Sequence, residues 1–242
     1  MTDGIRIAAR SDDILEIVLA RPAQGNALSP PMATAIVAAI DAMPPTVRAL
    51  YLHAEGADFC TGRTPVLPPA GSRATALDLR QLIADPVLDF YQRLREVPVP
   101  VVMAVRGRAA GVGCALAGLA DVCIASEDAV FSVPEMDKDV APTLVMAALG
   151  DRLSRAALAR MVFTRDPVGA AEAKAIGLIG VTCAPDQLSE HTEALLSKLC
   201  RNSVPVVRGV KSFLNHQPEM SFAARREAAA LINCVVTAEK YR

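Results

Sequence analysis

Short apolar runs and longer segments of helical spacing take turns along this chain. Residues 14–20 form a β-rich run that stops at Arg21-Pro22. Pro30-Pro31 opens a helical pattern that reaches about residue 41, and Pro44-Pro45 ends it. Residues 48–54 read as a second strand, followed by a turn at 56–58. The stretch 59–62 then leads into a segment, 64–73, whose Pro, Gly and Ser content predicts a mobile loop. A long helical pattern covers 74–96, with a bend expected near Asp85-Pro86 because proline disrupts a helix interior. Residues 99–105 are a nearly unbroken apolar run, hence a buried strand. A glycine-punctuated turn at 106–113, a small-residue helix at 114–119 and strands at 122–125 and 129–133 follow. Helical spacing returns at 143–149, 154–163 and 168–175, and 178–182 is one more strand. From Pro185 the chain is helical in three segments, 186–200, 204–216 and 221–239. Strands alternating with helices imply an α/β core with parallel strands, and the last quarter implies a helical lobe. The expected units are therefore a core over 1–184 and an oligomerisation lobe over 185–242. The chain has no repeat of fixed period and no low-complexity tract.

Composition narrows the function classes. Of 242 residues 52% are apolar, enough for a sizeable core, and abundant alanine favours close helix packing and subunit contacts. A net charge of −1 with no basic run excludes nucleic acid as a partner. The six cysteines form no C-x-x-C pair and most lie in apolar context, so reduced, buried thiols and a cytoplasmic location are expected. The first twenty residues carry early acids and no uninterrupted apolar core, unlike a signal peptide. No apolar stretch approaches the ~20 residues of a membrane span. The three histidines are scattered, which gives neither a metal site nor a Ser-His-Asp triad.

Residues 99–135 carry the chemistry. A buried strand feeding a glycine-rich turn and a helix start presents unpaired N–H groups at the helix N-terminus. Those donors and the helix dipole can hold a negative oxygen. Glu135 sits just past an apolar strand. An anion-stabilising turn plus one acid suits enolate chemistry. Each residue has a plainer reading. The glycines of 107–113 can serve close packing, Glu135 can cap the next segment, and Asp121 can fix a helix-to-strand turn. Asp137 and Asp139 are either solvated loop charges or a second carboxylate in the cleft.

The chain resembles the crotonase superfamily, the enoyl-CoA hydratase/isomerase family, over nearly its whole length. RPAQGNAL (21–28) is similar to its R-P-x-x-x-N-A-L segment, and GADFCTGR (56–63) to its G-x-x-F-(S/C)-x-G-x-D segment. AVRGRAAGVG (104–113) resembles its A-(V/I)-x-G-x-x-x-G-G-G turn, with Asp121 in the place of the aspartate that follows. Residues 131–135 match F-x-x-P-E, and 170–178 match A-x-x-A-x-x-x-G-L. Five motifs in order make the resemblance specific. It implies a crotonase (ClpP-like) spiral of ββα units with a C-terminal helical lobe, assembled as a homotrimer or dimer of trimers. It implies an acyl-CoA thioester as substrate, with coenzyme A entering as part of it and no separate cofactor. By position the backbone N–H groups of Arg63 and Val112 would hold the thioester oxygen, and Glu135 would be the catalytic acid/base. Ala23, Ala27, Arg63, Thr64, Pro65, Gly111 and Val112 fall at substrate- or CoA-binding positions. The Arg63 guanidinium could also reach a CoA phosphate or a carboxylated acyl group. Lys211 lies near a CoA contact of the family, with an exposed helix lysine as the plainer reading.

Several positions depart from the family pattern. Hydratases of the family flank the acyl chain with two glutamates, and the first of these positions holds Ala115 here. A methyl group neither takes nor gives a proton. One remaining acid resembles the arrangement of the Δ3,Δ2-enoyl-CoA isomerases, which makes double-bond isomerisation the favoured activity. Hydration of a 2-enoyl-CoA is the alternative, and a non-catalytic CoA-thioester-binding subunit is the reading of another class. Val112 stands for a common glycine, Thr64 for an aspartate and Ala23 for a basic residue. The chain ends at Arg242, short of the family's usual final helix, which leaves an open acyl pocket or an altered subunit contact as expectations.

Overall fold

The structure is a computed structural model that describes residues 4–11, 13–69, 71–238 and 241. Its strands are β1 (Ile5–Ala9), β2 (Ile14–Leu19), β3 (Ala49–Ala54), β4 (Val101–Val105), β5 (Arg108–Ala110), β6 (Val122–Ser126), β7 (Val130–Ser132), β8 (Val168–Gly169) and β9 (Val181–Cys183). The larger sheet has the order β1-β2-β3-β4-β6-β9, and the smaller one β5-β7-β8. All pairs of the larger sheet are parallel except β1 with β2. The chain steps between the sheets, from β4 to β5 and from β6 to β7. An isolated bridge from Cys60 to Ala109 adds an earlier turn to the smaller sheet. This is the spiral of ββα units expected from the motifs.

Burial explains why the central strands read as unbroken apolar runs. In β4, Val101, Met103 and Val105 face the main core, while Val102 and Ala104 face the other side of the sheet with Tyr51 and Ile124. Both faces are covered, so both sets of alternating residues are apolar.

The helices are α1 (Pro30–Asp41), α2 (Ala76–Leu79), α3 (Asp85–Arg95), α4 (Val112–Leu119), α5 (Thr143–Leu149), α6 (Arg155–Thr164), α7 (Ala170–Ala175), α8 (Leu188–Cys200), α9 (Val204–His216) and α10 (Phe222–Ala238). Between α2 and α3 lies a π-helical turn, Arg80–Ala84, whose closing bond runs from the Asp85 N–H to the Arg80 carbonyl. The widened turn lets the helical path pass Pro86 without the ring striking the carbonyl four residues back. Beyond Pro185, α8 is seated on the outer face of the larger sheet, where Leu188 and Leu196 pack with Tyr51, Val102 and Ile124. The helix α10 packs on α9 and has no buried residue.

Lys211 corrects the plainer sequence reading. It lies on α9 but is only 2% exposed. Its Nζ donates to both carboxylate oxygens of Asp121, at 2.8 and 2.7 Å. Asp121 in turn accepts the Val101 N–H at 2.7 Å, so the pair fastens α9 to the start of β4. A buried charge needs such a partner.

Candidate active site

The segment 59–63, which meets the smaller sheet through the bridge from Cys60 to Ala109, is fixed by Asn26. This residue is fully buried, and its backbone takes the left-handed conformation at φ +54°. Its Oδ1 accepts the Arg21 N–H, and its amide donates to the carbonyls of Glu55 and Asp58, each at 2.8 Å. That latch holds residues 59–63 in place. Leu28 then bridges Arg63 in parallel. The Leu28 N–H donates to the Gly62 carbonyl, and the Thr64 N–H donates to the Leu28 carbonyl, both at 2.9 Å. A parallel bridge of this kind leaves Arg63's own N–H outside the pairing. The Arg63 guanidinium donates to the Ile83 carbonyl at 3.3 Å, which ties it to the π-helical turn.

The other donor comes from α4. Gly111 precedes it at φ 53°, ψ −113°, and its N–H donates to the Ser132 carbonyl at 2.9 Å. The helix starts at Val112, two residues before the sequence pattern places it. Val112 is its first residue, so its N–H has no intrahelical acceptor. The opposite end of α4 is held by Arg152, whose Nε donates to the Gly118 carbonyl at 3.0 Å and whose guanidinium also meets the Ala120 carbonyl. A cation there complements the helix dipole. Neither the Arg63 N–H nor the Val112 N–H meets an acceptor among the described residues.

Glu135 opens a 3-10 turn, Glu135–Lys138, directly after β7 and Pro134. Its carboxylate lies against Gly111: a methyl on that glycine would come within 2.4 Å of Glu135 Oε1. Burial pushes the Glu135 carboxyl above the ordinary glutamate range, opposed by its own backbone N–H and by Lys138. Its Oε2 is buried with no hydrogen-bond partner among the described residues, and the Tyr91 hydroxyl is in the same condition. Each unmet buried polar atom costs about 1–3 kcal/mol.

These groups share a cavity of about 430 Å³. Its polar wall is Thr61, Arg63, Tyr91, Glu135 and Lys138, and Val66, Ile83, Val87, Leu144 and Val145 are part of its apolar lining. Of the residues expected from sequence, Glu135, Arg63, Pro65, Gly111 and Val112 come together here. Ala23, in an exposed turn, and Ala27 and Thr64, half-buried, are not on this wall. Ala115 is fully buried one turn into α4. Asp137 is exposed and paired with Arg165 at 3.0 Å, and Asp139 is an exposed left-handed residue closing the turn. Both are therefore surface charges. Glu135 is the single carboxylate on the cavity wall among the described residues.

A larger cleft, about 670 Å³, runs between α3, α5 and α9. Its charges are largely matched, with Arg95 on Asp151 at 2.6 Å and Lys211 on Asp121. Arg63, Val112 and Glu135 are absent from its walls, so the smaller cavity is where enolate chemistry can occur. No group of three or more His, Cys, Asp or Glu among the described residues is placed to hold a metal ion. No helix among them is long and apolar enough to cross a membrane.

Sequence reasoning missed Tyr91, whose place in the buried stripe of α3 with Phe90 and Leu94 makes it look like core. It also gave no role to Asn26, although the motif that contains it was visible.

Residues 9–240 match the family model described as enoyl-CoA hydratase/isomerase. The enoyl-CoA hydratase domain-containing protein 3, mitochondrial, of Danio rerio is 28% identical over 222 residues, covering 91% of this chain and 76% of its own. The trans-2-decenoyl-[acyl-carrier-protein] isomerase of Streptococcus mutans is 28% identical over 208 residues, covering 83% and 78%. The crystal structure of an enoyl-CoA hydratase from Mycobacterium smegmatis superposes with a TM-score of 0.88 at 26% identity, covering 96% of this chain and 90% of that one.

Proposed function

The chain belongs to the enoyl-CoA hydratase/isomerase family, and we propose that it moves the double bond of an enoyl-CoA thioester by a proton shift on Glu135. The observation that carries this reading is the single carboxylate on the cavity wall, with a buried methyl at position 115. The thioester carbonyl lies against the N–H groups of Arg63 and Val112. Glu135, ionised, takes a proton from C2 of a 3-enoyl thioester. The electron pair moves onto the carbonyl oxygen as a dienolate, which the two N–H groups stabilise. Each such donor typically lowers the barrier by about 2.7–4 kcal/mol. The carboxylic acid then returns its proton to C4, and the double bond comes to rest between C2 and C3. Nothing enters or leaves, and no cofactor is needed. A carboxyl whose affinity for protons is raised by burial keeps the proton long enough to return it. The apolar lining suits a hydrocarbon acyl chain.

Hydration is the second reading, supported by relatives named hydratases. It asks Glu135 alone to orient and deprotonate water. In either reading the assembly is trimer-based: α10 leaves Phe222, Leu231 and Val235 exposed, a surface suited to a neighbouring copy.

The test is incubation with straight-chain 3-enoyl- and 2-enoyl-CoAs, read by mass spectrometry and ultraviolet absorbance. The expected result is conversion of the 3-enoyl to the conjugated 2-enoyl thioester at unchanged mass. A main product heavier by one water would replace isomerisation with hydration. Binding without any turnover would leave a non-catalytic thioester-binding subunit.

A further inference from the structure

Tyr91 is 3% exposed on α3 and lines both the cavity that holds Glu135 and the larger cleft, with Glu135 on the wall of the first alone. Its hydroxyl and Glu135 Oε2 are both sealed from solvent and both unpaired among the described residues. One is a donor and the other an acceptor, and solvent satisfies neither. Of the charged and thiol groups that act on the hydroxyl, Glu135 carries the buried acceptor left without a partner. The Cys60 thiol already donates to the Gly62 carbonyl at 3.2 Å, and Arg63, a donor only, is tied to Ile83. Cys114 is a fully buried thiol, a weak acceptor. Lys138, the cation on Glu135's own turn, is exposed. Burial pushes the Tyr91 hydroxyl's pKa up, and the Glu135 charge pushes it further. Catalytic hydrogen bonds are often long or misaligned before substrate binds and tighten in the complex.

We propose that Tyr91 is a positioning residue for Glu135. Its hydroxyl donates to Oε2 once an acyl chain fills the cavity. That bond fixes the plane of the carboxylate and leaves Oε1, beside Gly111, to carry the proton between C2 and C4. The proposal rests on the proton-shift reading of the site. A donor on the ionised form also opposes the upward push of burial on the Glu135 carboxyl.

The test is Tyr91→Phe, which removes one oxygen and keeps the ring. With a saturated acyl-CoA bound, Glu135 is titrated by carbon NMR in ¹³C-glutamate-labelled wild type and variant, with Glu135→Gln to identify the signal. The pH profile of kcat is measured alongside. Glu135 works as a base when ionised, so activity rises with pH through its titration. Losing the donor makes ionisation harder and displaces both the titration and the acid limb to higher pH, by about one pH unit. On the acid limb, below both titrations, kcat should fall about 10-fold with KM nearly unchanged, and the two rates should converge at high pH. Identical titration of Glu135 in wild type and variant would overturn the proposal. If the wild type moves no double bond, the proton-shift reading fails, and the NMR titration still decides whether Tyr91 holds Glu135.

Discussion

Glu135→Gln is expected to slow proton exchange at C2 of a bound thioester by about 10²-fold or more, the usual contribution of a positioned general base. Glutamine keeps the shape of the side chain and removes its basicity. The donors of Arg63 and Val112 belong to the backbone and are untouched, so thioester affinity should stay near that of the wild type. The fold should not suffer, because a neutral amide is easier to bury than a carboxyl pushed up by its surroundings. Deuterium uptake from D₂O, read by mass spectrometry, gives the exchange rate, and calorimetry gives the affinity. Exchange at the wild-type rate would remove Glu135 from the chemistry.

Gly111→Ala should be at least as damaging, through geometry. The backbone at Gly111, φ 53° and ψ −113°, is one that side chains rarely adopt. An added methyl would lie 2.4 Å from Glu135 Oε1. The residue must therefore shift, and it directly precedes the Val112 N–H. One change displaces both the N–H proposed to hold the thioester oxygen and the carboxylate proposed as the base. A misplacement of ~1 Å costs about 10²-fold in rate, and the strained backbone about 1–3 kcal/mol in stability. The measurements are kcat for double-bond migration and the thermal unfolding midpoint. A stable Gly111→Ala protein with full activity would mean that this turn takes no part.

Local punctuation made much of the fold legible. The limits of α1 follow from Pro30 at its first position and prolines just beyond its end. The strand β1 was invisible because only Ile5 of its five residues is buried, which leaves no alternation to read. The strands β5 and β8 are three and two residues long, too short for any period, and they pair with β7, which falls within the strand expected at 129–133. The start of α4 was misjudged because Gly113 looks like turn. It is helical, and glycine is required there since a methyl would come within 2.1 Å of the Cys60 carbonyl oxygen.

The same division runs through the site. Glu135, the turn at Gly111 and the Arg63 position stood out because glycines and prolines mark the backbone around them. The burial of Lys211 did not, because its partner Asp121 is 90 residues away. Tyr91 was hidden by its own helix, where an aromatic in an apolar stripe is indistinguishable from core until the cavity behind it is seen.

The most direct measurement follows one hydrogen. A 3-enoyl-CoA carrying deuterium at C2 is converted in ordinary water, and the product is read by NMR and mass spectrometry. A single carboxylate that moves the proton should deliver part of the label to C4 of the 2-enoyl product, with C3 unhydroxylated. The contradicting result is a 3-enoyl-CoA left unconverted while the matching 2-enoyl-CoA gains a hydroxyl at C3, which would place water, and not the returning proton, at the centre of the reaction.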